Sequence, residues 1–273
     1  MATTPIPAAI DDLWEVRAGL TTENEDARRV VTEAVDLLDA GEARIAEVVD
    51  DAVVVDERAK RAILIAFKVL PMRPGNVGDF HHDDRIPLKA SLPGVRAVPG
   101  AIARWGSHLE PGVVLMPSFV NIGAHVGAGT LVDTWATVGS CAQVGRNVHL
   151  SGGVGIGGVL EPPQAAPVVI GDDAFIGSRS MVVEGARVRE GAKLGAGSIL
   201  TASTRVFDAE SGEELPRGEV PARAVAIGST RIRRFPGGEF GLPCLLILRH
   251  LEPGQEHDKL ALNAVLREHG IAP

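Results

Sequence analysis

Asp133, in the run Val132-Asp133-Thr134-Trp135-Ala136-Thr137-Val138-Gly139-Ser140, is an acid at a place where the neighbouring segments of the same pattern offer Gly139, Gly145 and Gly157. A carboxylate there does one of two things. It caps the backbone N–H groups of a tight turn, or it has a functional role, since packing does not ask for an acid at that position. His149, just before Leu150, is open to the same pair of readings, general base or structural hydrogen-bonder. His81-His82-Asp83-Asp84 has metal-binding side chains, but consecutive residues rarely converge on one ion, and a solvated loop is the expectation. Gly153-Val154-Gly155-Ile156-Gly157-Gly158 imitates a dinucleotide fingerprint, yet no strand-to-helix transition surrounds it. Cys141 and Cys244 are far apart and belong to no CxxC or Cys/His cluster, so they read as buried thiols of a reducing compartment.

The element that must position these groups is a repeat. Stepping by six from Ile102 gives Ile102, His108, Val114, Val120, Val126, Val132, Val138, Val144, Leu150 and Ile156, with His108 the one break in an aliphatic series. The series resumes out of phase at Ile170, Ile176, Val182, Val188, Leu194 and Leu200, and small residues recur four positions after most members. A period of six matches neither a helix nor simple alternation. It matches a solenoid of short strands and turns, three rungs to a triangular coil of about 18 residues, with the aliphatic side chains stacked inside. Between Ile156 and Ile170 the spacing is fourteen where two rungs would give twelve, and three prolines lie in residues 161–167. That segment is expected to be an extruded loop, a flap beside rigid walls.

Around the solenoid the pattern changes. Residues 1–95 read as mostly helical, with one helix starting near Thr21-Thr22-Glu23-Asn24-Glu25 and stopping at Gly41, and a second from Asp56 to Leu70 ended by Pro71. Residues 96–204 hold the repeats. Residues 205–273 are expected to cap the open end: a hairpin from Arg205-Val206-Phe207 to Gly218-Glu219-Val220, a strand over Cys244 to Leu248, and a short helix from Asp258 to His269. The formal charge of −8 argues against nucleic-acid or anionic-membrane partners, so local Arg and Lys must hold any anionic ligand. The N-terminal run gains acidic residues before any signal-like apolar stretch, and no stretch of about 18 apolar residues occurs. A cytoplasmic protein is expected.

From Leu115 to Ala165 the wording LMPSFVNIGAHVGAGTLVDTWATVGSCAQVGRNVHLSGGVGIGGVLEPPQA closely resembles the tetrahydrodipicolinate N-succinyltransferases. The resemblance extends to Ile86-Pro87-Leu88-Lys89, to Phe175-Ile176-Gly177-Ser178-Arg179-Ser180 and over nearly the whole chain. It implies a mainly β fold: a left-handed parallel β-helix with an α-helical N-terminal domain and a small β-rich C-terminal cap. It implies succinyl transfer from succinyl-CoA to the amine of ring-opened tetrahydrodipicolinate in lysine and diaminopimelate synthesis, with succinyl-CoA as co-substrate and no permanently bound cofactor or metal. By the same resemblance Asp133 meets the reacting amine, while Arg96 and Arg179 hold substrate carboxylates, for which a planar guanidinium is suited. Lys193 and Arg223 are candidates for CoA phosphates, and the expected assembly is a homotrimer with active sites between subunits. The chain departs from the family at Met181, where a glutamate is usual. Glu184 is a candidate to compensate, although it lies on a different part of the coil. Two other readings stay open: an acyltransferase with another amino-diacid acceptor or acyl donor, and a non-catalytic hexapeptide scaffold.

Overall fold

The computed structural model describes residues 4–252, 254 and 259–270. Its centre is a three-faced prism of two-residue strands, each with one side chain out and the next one in. The first face stacks His108–Leu109, His125–Val126, Gln143–Val144, Val169–Ile170, Arg187–Val188 and Glu219–Val220. The second stacks Arg96–Ala97, Val114–Leu115, Leu131–Val132, His149–Leu150, Phe175–Ile176 and Lys193–Leu194, and continues into the C-terminal strands. The third stacks Ile102–Ala103, Phe119–Val120, Thr137–Val138, Gly155–Ile156, Met181–Val182 and Ile199–Leu200. Rungs within a face pair in parallel, Leu131 with His149 and Val132 with Leu150, for example. The inward aliphatics form one continuous core, with Val126, Val132, Val138, Val144, Leu150 and Ile176 all at 0% exposure. Two residues before most inward side chains sits a small buried one. At Thr130 it is a hydroxyl that the next coil satisfies: Thr130 Oγ1 donates to Gly145 O at 2.8 Å and accepts from Val148 N–H at 3.0 Å. A buried hydroxyl paired in this way escapes the cost of desolvation.

Three irregularities correct the periodic reading. The rung from Leu115 to Val120 is one residue short, so Ile102 pairs with Phe119 and Ala103 with Val120. Below that point the inward residues are Ala103, Leu109 and Leu115, not Ile102, His108 and Val114. His108 broke the aliphatic series because it faces outward, its ring 5.2 Å from that of His125. Next, Gly155–Ile156 and Val169–Ile170 are consecutive rungs on the third and first faces. Fourteen residues therefore stand where one rung needs six, and the extruded loop is longer than the spacing suggested. Finally, the solenoid does not end near Thr204. After an excursion in which Val206–Asp208 pairs with Glu214–Leu215, Glu219–Val220 returns as a rung beside Arg187–Val188.

The N-terminal segment contains helices α1 (Ala9–Glu15), α2 (Glu25–Ala40) and α3 (Glu57–Val69). Gly41 ends α2 in the left-handed region, φ +80°, and Asp56 caps α3 by accepting the Ala59 N–H at 3.1 Å. Their apolar faces, including Val31, Val35, Ile63 and Ala66, share a core with Ile122 and Cys141 on the solenoid. Two hairpins interrupt the expected helical region, Ala46–Val49 with Ala52–Val55 and Arg73–Val77 with Phe80–Asp84. The second contains His81 and His82, and no metal-binding group of three side chains occurs among the described residues. At the other end Ala224–Phe235 and Gly238–His250 form a long hairpin. A helix over Lys259–Glu268 follows, while Asp258, its expected start, lies outside the described residues.

Candidate active site

Asp133 leaves the second face at the edge where the chain turns toward the third. Its Oδ1 accepts the Thr134 N–H at 2.6 Å and the Thr134 hydroxyl at 3.2 Å, while Oδ2 has no protein partner among the described residues. One carboxylate oxygen therefore holds the turn, and the other is not used by it. The edge repeats in each coil. Trp135 N–H donates to Pro117 O at 2.7 Å, Gly153 N–H to Thr134 O at 2.9 Å, Arg179 N–H to Gly152 O at 3.1 Å and Gly197 N–H to Ser178 O at 2.9 Å. Trp135, Gly153, Arg179 and Gly197 thus form one column, all in the left-handed region at φ +61°, +70°, +63° and +70°. For Trp135 and Arg179 that conformation costs about 1–2 kcal/mol each. Glycine at 153 leaves room for Arg179: a Cβ there would lie 3.0 Å from Arg179 Cδ and 3.1 Å from its Nε, and the side chain would have to give by a few tenths of an ångström. The Arg179 side chain therefore reaches across Gly153 toward the coil of Asp133 and Trp135.

The other candidates are dispersed. Arg96 faces outward on the second face, exposed, two coils below Leu131, so it borders the Asp133 edge without touching it. Glu184 is exposed on the edge between the third and first faces, and the chain does not bring it to Asp133. Its backbone is held there beside the extruded loop, since a Cβ on Gly185 would meet Ala166 O at 2.6 Å. Arg223 lies on the remaining edge, where its N–H donates to Glu190 O at 2.8 Å. Lys193 is only 2% exposed, paired in the second face between Phe175 and Val225, where the C-terminal residues Leu248, Leu251 and Val265 pack. As placed, it offers no ammonium to an incoming phosphate. His149 sits in the outward column of the second face with its ring 5.1 Å from Phe175.

Two features of the site were not anticipated. Trp135 is 74% exposed despite its strained backbone, a position with no return in folding energy within the chain. The available signal was its place three residues after an inward aliphatic, where two of the other coils put glycine, at 153 and 197. The extruded loop is also no free flap. The fully buried Lys60 on α3 donates to the carbonyls of Pro162 at 3.3 Å and Ala165 at 2.8 Å, and burial lowers its pKa. Met181 faces outward on the third face, 41% exposed, with its Sδ lying over Gly155.

Residues 5–69 match the model of the tetrahydrodipicolinate N-succinyltransferase N-terminal region, and residues 167–202 match that of the hexapeptide repeat of succinyl-transferase. A 2,3,4,5-tetrahydropyridine-2,6-dicarboxylate N-succinyltransferase of Rhodospirillum rubrum is 47% identical, over 98% of this chain and 99% of its own. The protein of that name from Gluconobacter oxydans is 46% identical over 98% of this chain and 100% of its own. The chain belongs to the tetrahydrodipicolinate N-succinyltransferase family. The coil is accordingly the left-handed parallel β-helix of that family, with its helical N-terminal segment. A crystal structure titled as a putative N-succinyltransferase of Campylobacter jejuni has the same fold, with a TM-score of 0.52 at 17% identity over 80% of this chain and 62% of that one. Membership of the tetrahydrodipicolinate N-succinyltransferase family brings the dispersed arginines and acids under one question: which of them reach a common ligand.

Proposed function

We propose that this chain transfers succinyl from succinyl-CoA to the amine of ring-opened tetrahydrodipicolinate, in the succinylase branch of lysine and diaminopimelate synthesis. Similarity over nearly the full length of named succinyltransferases supports the reaction. The observation that carries the site is the shared edge of Asp133 and Arg179. Two coil spacings of about 4.8 Å separate their backbones, and Arg179 leans across the intervening Gly153. A linear amino diacid fits between them, with one carboxylate on the Arg179 fork and its amine at the open Oδ2 of Asp133. Arg96 is in place for the second carboxylate if the acceptor extends down the second face.

In this mechanism the amine nitrogen attacks the thioester carbonyl, the new C–N bond forms, and the C–S bond breaks with loss of the CoA thiolate. Asp133 takes the proton that the nitrogen loses. No covalent enzyme intermediate is needed. The assembly we propose is a homotrimer in the cytoplasm, with a neighbour against the third face. In support, that face and its edge expose Trp135 at 74%, Met181 at 41% and Ile199 at 59%. Large exposed apolar groups grouped in this way mark contact surfaces. Both free thiols, Cys141 and Cys244, suit a reducing compartment.

One observation favours a second reading. Met181 puts a thioether beside the Arg179 edge, where the family resemblance leads one to expect a carboxylate, so a different amino-diacid acceptor or acyl donor is the alternative. Incubating the protein with tetrahydrodipicolinate and either succinyl-CoA or acetyl-CoA, then identifying the product by mass, separates the two. The succinyl adduct is expected to dominate. Acetyl adduct alone supports a changed donor, and no adduct with either donor refutes transfer to tetrahydrodipicolinate.

A further inference from the structure

One cavity lies away from the Asp133 edge. It encloses about 460 Å³ between the hairpin Ala46–Val55 and the first face, on the opposite side of the prism from that edge. The hairpin turns at Asp50 and Asp51, φ +47° and +67°, a two-residue turn normally made by Asn-Gly or Asp-Gly. Asp51 is tied down at the far end. Its carboxylate oxygens accept from Arg189 Nη1 at 2.6 Å and Nη2 at 2.7 Å, and its main-chain oxygen accepts from Arg187 Nη1 at 2.7 Å. Glu219 pairs with both as well, 2.5 Å from Arg189 Nε and 3.9 Å from Arg187 Nη1, so two carboxylates already serve the two arginines. Asp172, also in the lining, is used by Arg146 at 2.8 Å.

Three charged groups in the lining are not used in this way. Arg44 donates through Nε to Gln143 Oε1 at 3.2 Å, its one hydrogen bond among the described residues. Burial lowers its pKa, and nearby Glu47 opposes that effect. The carboxylates of Glu47 and Glu190 have no hydrogen bond or ion pair among the described residues. Arg44 and Glu47 lie at the Gln143 end of the cavity, and Glu190 lies in the coil of Arg187. Gln143 pairs with Val169 and Val169 with Arg187, so the two ends are two coils apart, about 10 Å at about 4.8 Å per coil. Val169 and Val188 line the space between.

We propose that this cavity binds a linear basic α-amino acid, with its carboxylate on Arg44, its α-ammonium at Glu47 and its terminal ammonium at Glu190. The methylene chain then lies along Val169 and Val188, and each charge meets its opposite. The proposal is independent of the acyl-transfer reading, because binding is read without turnover.

Calorimetric titration of the whole protein with L-lysine, in the absence of any acyl-CoA, tests it. Saturable binding is expected. Norleucine, which lacks the terminal ammonium, and cadaverine, which lacks the carboxylate, are each expected to bind at least about tenfold more weakly, the scale of one lost charge-assisted hydrogen bond. Glu190→Gln, an exposed and isosteric change, is expected to weaken lysine about tenfold and leave norleucine unchanged. Absence of saturable heat with millimolar lysine overturns the proposal. So does norleucine binding as tightly as lysine, or lysine affinity unaltered in Glu190→Gln.

Discussion

Replacing Gly153 by alanine separates a backbone effect from a site effect, because the structure supplies its own control. Gly153 and Gly197 occupy the same edge column with the same φ of +70°. An L-residue in that conformation costs about 1–2 kcal/mol, and for a chain of this size each kcal/mol lowers Tm by about 2–4 °C. Both Gly153→Ala and Gly197→Ala should therefore melt a few degrees below the parent. They differ in what the new methyl meets. At 197 nothing lies within 4 Å, whereas at 153 the Arg179 side chain is 3.0 Å away and must move. If Arg179 holds an acceptor carboxylate, that shift misaligns a hydrogen-bonded charge pair worth about 1.5–3 kcal/mol, and loss of the whole pair is the ceiling. The acceptor KM should therefore rise, by at most about 10- to 150-fold, with the donor KM unchanged. Thermal melts and steady-state kinetics on the two variants give the answer. Equal acceptor KM values for Gly153→Ala and Gly197→Ala would refute the placement of Arg179 at the acceptor.

Three further perturbations test other parts of the account. Lys60→Met keeps the volume but removes both hydrogen bonds from Nζ to the extruded loop, so the Ala165 amide, which donates to Pro162 O at 3.0 Å, should exchange with solvent faster. Unchanged exchange would mean that the loop holds itself. Asp51→Ala removes the carboxylate bonds to Arg189 and Arg187 but keeps the main-chain oxygen, and amide protection over Ala52–Val55 is expected to fall while that of α3 persists; equal protection would contradict the tie. Burial, with Arg44 and His108 nearby, lowers the pKa of His125 from 6.5 to about 4 against the opposing pull of Glu110. Between those values the unfolded chain binds a proton that the folded chain does not. Stability from this group is therefore full above about pH 6.5 and lost as pH falls toward about 4, by about 3 kcal/mol. Urea midpoints of the parent and His125→Gln should converge as pH falls through that window, and a constant difference between them would count against the buried neutral imidazole.

The solenoid was legible because a stacked coil repeats its demands: an aliphatic side chain inward, a small one at the corner. What escaped is what breaks that repetition or comes from far along the chain. Val114 and Leu115 are both aliphatic, so either could be inward, and only the pairing of Leu115 with Val132 shows that the rung through Pro117 is short. Asp50-Asp51 lacks the glycine that signals a hairpin turn, and Asp51 is held by arginines more than a hundred residues away. Nothing near Lys193 in the sequence marks it as buried; it is paired in the second face where Leu248 and Val265, from the C-terminal segment, pack on Val225. The edge column of Trp135, Gly153, Arg179 and Gly197 was present in the sequence at coil spacing. Reading it required comparing whole coils, not rungs, and allowing for the extruded loop.

The central claim is that Asp133 works on the acceptor amine at the edge it shares with Arg179. Asp133→Asn keeps an oxygen for the Thr134 N–H, so the turn should survive while proton acceptance is lost. Thiol release from succinyl-CoA with tetrahydrodipicolinate, measured side by side for the parent and Asp133→Asn, is the direct test. The account predicts brisk release by the parent and a kcat lower by about 10²–10⁴ in the variant, with Tm little changed. Equal kcat values for the two proteins would contradict it.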